Sequence, residues 1–276
     1  MPNNLLETAT EVFYKIKETN PDCDLIALDW AGIGDAVCHS RLILHHLLPR
    51  KILWITTPTV YGLFKDDPLM DVRCGFDGPR GIGNPELGNK IDQIMKDVFK
   101  KETLPISKNI IRDFANCIAR KHNFSDAFFC CCGMEKDKKI KHSLIHKGQS
   151  LIKTNKKYIV VENFFRAQTP ALLSSYKKLF EKIKDRYDIV SLGAAIDPIM
   201  EGMIDCRGFS LYDSFSIVKN CSAFIGRSSG NQSLMCFLHQ IPIIEMDVAV
   251  SASYQECGLH PDVKKVKLPE EAEKYL

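Results

Sequence analysis

The chain has little net charge and no long apolar run. Its 37 Lys and Arg nearly balance 34 Asp and Glu, for a formal net charge of +3. That balance gives no global electrostatic signature of nucleic-acid binding. No uninterrupted stretch of about 18 apolar residues is present, the length that a membrane-spanning helix needs. The N-terminus lacks a basic segment followed by an apolar one, so no secretory signal is read there. A disulfide framework is missing too. Three of the 11 cysteines are adjacent, Cys130 to Cys132, and such neighbours rarely bridge one another. A mostly apolar strand is the expected home of that run. His142 and His146 stand four apart without a third ligand, so no metal site is expected. These absences predict a protein of the reducing cytoplasm.

What is present is a repeated alternation of short apolar runs and helical patterns. At 276 residues, 45% hydrophobic and 26% charged, the chain is long enough for two modest domains. In the first half, residues 4–18 have apolar positions at helical spacing, and 24–30 and 51–57 read as buried strands. Between these strands a helix is expected from Asp35 to Leu48. A third strand is expected at 70–76, helices at 89–100 and 107–121, and a further strand at 126–132. From Lys136 to Lys157 the chain is lysine-rich with few acids, which marks a connection between domains. The pattern then restarts: strands at 158–162 and 188–192, a helix at 171–187, a helix at 211–219, a strand at 223–225, a helix at 232–239 and a strand at 241–246. Strands alternating with helices predict parallel sheets in an α/β architecture. The expected organisation is two Rossmann-like domains, 1–150 and 151–276, facing across a cleft at their strand C-terminal ends.

Two loops have the composition for chemistry. The first is Gly32-Ile-Gly34-Asp35, between a strand and a helix. As a dinucleotide fingerprint it is incomplete, since Val37 stands where a third glycine belongs. Thr56 and Thr57 stand where an acid would end the second strand, which disfavours a dehydrogenase. Asp35 reads either as a helix N-cap or as a general base at a cleft edge. The second loop is Gly226-Arg227-Ser228-Ser229-Gly230-Asn231-Gln232-Ser233, where a strand ends and a helix begins. Hydroxyls, backbone N–H groups and a guanidinium in so few residues suit a diphosphate. The alternative is a well-capped helix behind a surface loop.

In these segments the chain resembles the bacterial heptosyltransferase-like glycosyltransferases, glycosyltransferase family nine. Leu28–Leu44 is similar to the family's opening strand, Gly-x-Gly-Asp turn and helix, and Asp66–Val72 to the segment before its third strand. Ser191–Asp197 resembles a strand ending in glycine with an acid a few residues later, and Asp205–Leu211 the short motif before the donor helix. Phe224–Gly230, with Leu234 and Ile241–Ile243, resembles the donor loop, helix and strand. The order and spacing of these segments carry the resemblance.

The resemblance implies a GT-B fold with an N-terminal acceptor domain and a C-terminal donor domain. It implies inverting transfer of a sugar, heptose in the type members, from a nucleotide diphosphate to a glycan or glycolipid, as in lipopolysaccharide biosynthesis. No metal and no cofactor are implied beyond the nucleotide sugar itself. Asp35 takes the place of the catalytic base. Ser228, Ser229, Gly230 and Asn231 take the donor loop, Arg166 or Arg227 supplies the cation, and Asp197 holds ribose hydroxyls. Gly32 and Gly34 form the turn beside the acceptor, and His39 is a further candidate there. The Lys136–Lys157 run reads as a solvated linker or as a contact with an acidic acceptor or an anionic membrane surface. The chain departs from the family at Ser228, where an acid is usual, and at Ser233, where histidine is usual. A GT-B-like sugar-nucleotide epimerase and a non-catalytic nucleotide-sugar binding protein are the two other readings.

Overall fold

The computed structural model describes residues 2–30, 32–34, 36–37, 39–40, 50–77, 85–105, 144, 147–149, 151–162, 170–197, 199–226, 230–238, 240–246, 260 and 262–276. The chain divides into two compact units, Met1–His146 and Lys147–Leu276.

In the first unit, strands β1 (Leu25–Asp29), β2 (Ile52–Thr56), β3 (Asp71–Cys74) and β4 (Glu102–Pro105) form a parallel sheet in the order β3-β2-β1-β4. Every residue of β1 and β2 is buried, as expected of strands covered on both faces. Alternation divides β1 between those faces. Ile26 and Leu28 join a core with helix α1 (Pro2–Glu18) and helix α3 (Pro85–Phe99), in which Phe13 packs edge-on to Phe76 and Phe99. Leu25, Ala27 and Asp29 face the other way. Trp54, fully buried in β2, packs on Phe64 of helix α2 (Pro58–Phe64), whose N-cap is Thr57.

In the second unit six parallel strands run in the order β10-β9-β8-β5-β6-β7. They are β5 (Lys157–Glu162), β6 (Tyr187–Leu192), β7 (Ile204–Asp205), β8 (Phe224–Gly226), β9 (Ile243–Met246) and β10 (Val263–Val266). Helix α4 (Pro170–Ile183) and a 3-10 helix at Pro269–Tyr275 cover one face, closing a core with Ile159, Val161, Ile225 and Ile244. Helix α5 (Leu211–Val218), the short helix α6 (Gly230–Leu234) and a 3-10 turn at Met235–Phe237 follow. Each sheet has a strand order that reverses beside its first strand, at β1/β4 and at β5/β8. That is the doubly wound arrangement. Among the described residues no helix is long and apolar enough to cross a membrane.

Several element boundaries differ from expectation for local reasons. The helix after β1 already includes Ile33 and Gly34, because Ala36 N–H donates to Gly32 C=O at 2.9 Å. Gly32 therefore occupies the N-cap position. Helix α4 ends at Ile183 instead of 187: Arg186 N–H turns back to Ile183 C=O, and Tyr187 is already in the sheet opposite Lys157. The helix expected at 232–239 is a single α turn from Gly230 that tightens to 3-10 at Met235. Helix α2 and strands β4, β7 and β10 were not anticipated. The helix at 107–121, the strand at 126–132 with its three cysteines, His142 and His146 lie outside the described residues. Cys23, Cys206 and Cys221 are buried free thiols, and Cys74 is an exposed one.

Candidate functional site

Open parallel sheets bind ligands beyond the carboxyl ends of their strands, where the strand order reverses. In both units the first strand ends there on a buried acid: Asp29 closes β1 and Glu162 closes β5, at 1% and 5% exposure. Charged side chains are seldom so buried unless paired, and both are paired.

Asp29 meets His39 in the helix that follows the Gly32–Ala36 turn. His39 Nδ1 lies 2.6 Å from Asp29 Oδ2, and the histidine is also 1% exposed. A ring N–H donating to a carboxylate at this distance is a charge-assisted bond. His39, a further candidate for the acceptor side, is thus buried against the end of β1. Gly32 is exposed and Gly34 half-buried at the turn. Asp35 stands in the sequence between Gly34 and Ala36 but lies outside the described residues.

At the second switch point Asn231 of α6 donates from Nδ2 to Glu162 Oε1 at 3.0 Å. Its neighbour Gln232 donates from Nε2 to Glu245 Oε2 at 2.6 Å, both side chains buried. Gly226 pairs with Glu245 across β8 and β9. Alternation from the Val160–Phe224 pair puts Glu162 on the same face. Two carboxylates therefore flank Gly226 in one row, and consecutive amides of α6 hold them from above. A Cβ on Gly226 would stand 2.7 Å from Phe224 Cε1 and 3.4 Å from Glu162 Cβ, so the row requires a glycine. Gly230 starts α6. Arg166, Arg227, Ser228 and Ser229 lie outside the described residues.

Beyond β6 the chain turns at Gly193. Asp197, 4% exposed, accepts at Oδ2 from Ala194 N–H at 2.7 Å, and so closes its own turn. Arg207 donates from Nη1 to the Asp197 carbonyl and forks onto Asp205, from Nε to Oδ1 and from Nη2 to Oδ2, each at 2.8 Å. The fork and the Arg207 backbone N–H hold the Asp205 carboxyl down at about 2. Gly208 N–H donates to Gly193 C=O at 2.8 Å, tying the two loops together. No group of three or more His, Cys, Asp or Glu able to hold a metal is found among the described residues.

Asp29, Glu162, Gln232 and Glu245 were missed in the sequence. The available signal was an acid inside an otherwise apolar strand: Leu25-Ile-Ala-Leu-Asp29, Tyr158-Ile-Val-Val-Glu162 and Ile243-Ile-Glu-Met246. A strand buried on both faces tolerates a carboxylate only where a partner waits for it.

No protein-family model matches the chain, and no curated protein matches it. Solved structures do match in fold. Heptosyltransferase II of E. coli, described as an ADP-heptose lps heptosyltransferase, superposes with a TM-score of 0.60 at 12% identity, over 89% of this chain and 90% of that one. A glycosyl transferase family 9 protein from Veillonella parvula gives 0.60 at 12% identity, over 91% and 90%. The iron-containing dodecameric glycosyltransferase TibC from enterotoxigenic E. coli gives 0.55 at 15% identity, and the chain spans 57% of its length. The two doubly wound parallel sheets thus form a GT-B-like α/β fold, shared with the heptosyltransferases.

Proposed function

We propose that the protein is a glycosyltransferase that moves a sugar from a nucleotide diphosphate to a hydroxyl of a glycan or glycolipid. The observation that carries the reading is the fold likeness over about nine-tenths of this chain and of heptosyltransferase II together. TibC has been solved with ADP-D-β-D-heptose and the E. coli heptosyltransferase WaaC with ADP. An ADP-activated heptose is therefore the first donor to test. The second unit takes the donor, with the Ser228–Asn231 segment and a cation, Arg166 or Arg227, on the diphosphate. The first unit takes the acceptor. Asp197 remains a candidate for the ribose hydroxyls if its turn yields the carboxylate.

The chemistry is a single displacement with inversion. The acceptor oxygen forms a bond to the anomeric carbon as the bond from that carbon to the diphosphate oxygen breaks. The electron pair leaves with the diphosphate, and the hydroxyl proton passes to the Asp35 carboxylate. Backbone N–H groups, hydroxyls and the cation stabilise the charge that gathers on the leaving group. No metal takes part in this reading. The placement is cytoplasmic, with peripheral contact at an anionic membrane surface through the lysine-rich 136–157 stretch.

Asp35→Ala tests the assignment. Turnover of the nucleotide sugar falls by about two to four orders of magnitude, while nucleotide affinity stays close to that of the unmodified chain. Full activity, or equal loss of binding and turnover, rejects Asp35 as the base.

A further inference from the structure

We infer that Asp29 and His39 are a positioning pair for the reaction, an inference that rests on the transferase reading above. The two residues are 10 apart in sequence and meet at 2.6 Å, both buried. Their bond closes a ring of chain around the Gly32–Ala36 turn, on which Asp35 stands in the sequence. One end of the ring is fixed by the sheet, since Asp29 is the last residue of β1 and pairs with Thr56 of β2. The other end is fixed by the helix, where His39 lies one turn beyond Ala36. The bond therefore sets how far the turn stands from the strand ends.

Stability alone does not call for this pair. Two buried polar groups can be exchanged for two apolar ones with little loss, whereas removing one partner strands the other. Leucine or isoleucine would fill the end of β1 as they fill most of the rest of it. What an apolar pair lacks is direction: a hydrogen bond to a carboxylate holds the helix at one register and one distance. A base must stand within hydrogen-bond reach of the proton that it takes, and a displacement of about 1 Å costs on the order of a hundredfold in rate.

The test measures nucleotide released from ADP-D-β-D-heptose, with UDP-glucose and GDP-mannose as further donors and water as acceptor, so no identified acceptor is needed. In the double variant Asp29→Leu/His39→Leu, kcat falls about a hundredfold while the donor KM and the urea midpoint stay near those of the unmodified chain. Asp29→Asn, whose Oδ1 can still accept from His39, rescues most of kcat. Should the leucine pair fail to fold, Asp29→Leu/His39→Phe, which equally removes the hydrogen bond, takes its place with the same expected loss of kcat. An unchanged kcat in the leucine pair, a loss confined to KM, or an Asp29→Asn variant as slow as the leucine pair overturns the inference. If the unmodified chain releases nucleotide from none of the donors, the transferase reading falls and this one with it. If release is lost in Asp35→Ala but kept in the leucine pair, only the positioning role falls.

Discussion

Asn231 holds Glu162 at the point where the second sheet reverses its strand order, with Nδ2 donating to Oε1 at 3.0 Å. The bond joins the first strand of that sheet to the helix after its fourth, 69 residues on. Asn231→Leu leaves a buried carboxylate oxygen without this donor, which costs about 1–3 kcal/mol. Glu162→Gln costs less, because its amide oxygen still accepts. The double change Glu162→Leu/Asn231→Leu recovers part of the loss, since no polar group is then stranded. Urea unfolding of the four proteins measures this, and additive losses would show that the two residues are not coupled.

Gly193 has φ +139°, and a Cβ there would stand 2.7 Å from Asp197 Oδ2. That oxygen is the one that accepts from Ala194 N–H. Gly193→Ala therefore strains the backbone and displaces the carboxylate, together about 2–4 kcal/mol. Gly62 in α2 is the control: nothing lies within 4 Å of its added Cβ, so Gly62→Ala gains about 0.5–1 kcal/mol. Opposite signs in thermal unfolding are expected for the two alanines.

The alternation of apolar runs and helical periods was enough to read the α/β architecture, because fully buried parallel strands such as Ile52–Thr56 stand out from amphipathic helices such as Pro170–Ile183. Short edge elements were not legible. Ile204–Asp205 and Val263–Val266 depend on pairing with β6 and β9, and Glu-Thr-Leu-Pro105 has no strand-like pattern of its own. At the site, the two glycine-bearing loops were visible as composition. The acids beneath them were not, since their partners come from distant or following elements: His39 for Asp29, Asn231 for Glu162, Gln232 for Glu245. A partner supplied by the fold leaves no spacing to read.

Nucleotide preference follows from the donor reading and is measurable without an acceptor. A ligand that binds only the folded chain stabilises it by mass action, about 2.7 kcal/mol at a hundred times its Kd. For a chain of this size that raises the unfolding midpoint by about 5–10 °C. In a thermal-shift series with ADP, UDP, GDP and CDP at equal concentration, ADP is expected to give the largest rise. The same midpoint with all four and with no nucleotide would count against a nucleotide-sugar donor.

Acid should weaken the loop that carries Asp205. Its carboxyl sits at about 2 instead of its ordinary 3.8, chiefly through the side-chain hydrogen bonds from Arg207 and then the Arg207 backbone N–H. A carboxyl whose folded value is depressed contributes stability that is complete above the unfolded value and lost as pH falls through the folded one. The window here runs from about pH 4 down to about pH 2. With its side chain 49% exposed, solvent screens the pair and the contribution is modest. The comparison is therefore differential. Asp205→Asn is less stable than the unmodified chain above the window, and the gap between their urea midpoints closes as pH falls through it. Salt narrows the gap further where the pair is charged. A gap that is constant with pH would show that Asp205 holds Arg207, and through it the Asp197 carbonyl, by hydrogen bonding alone.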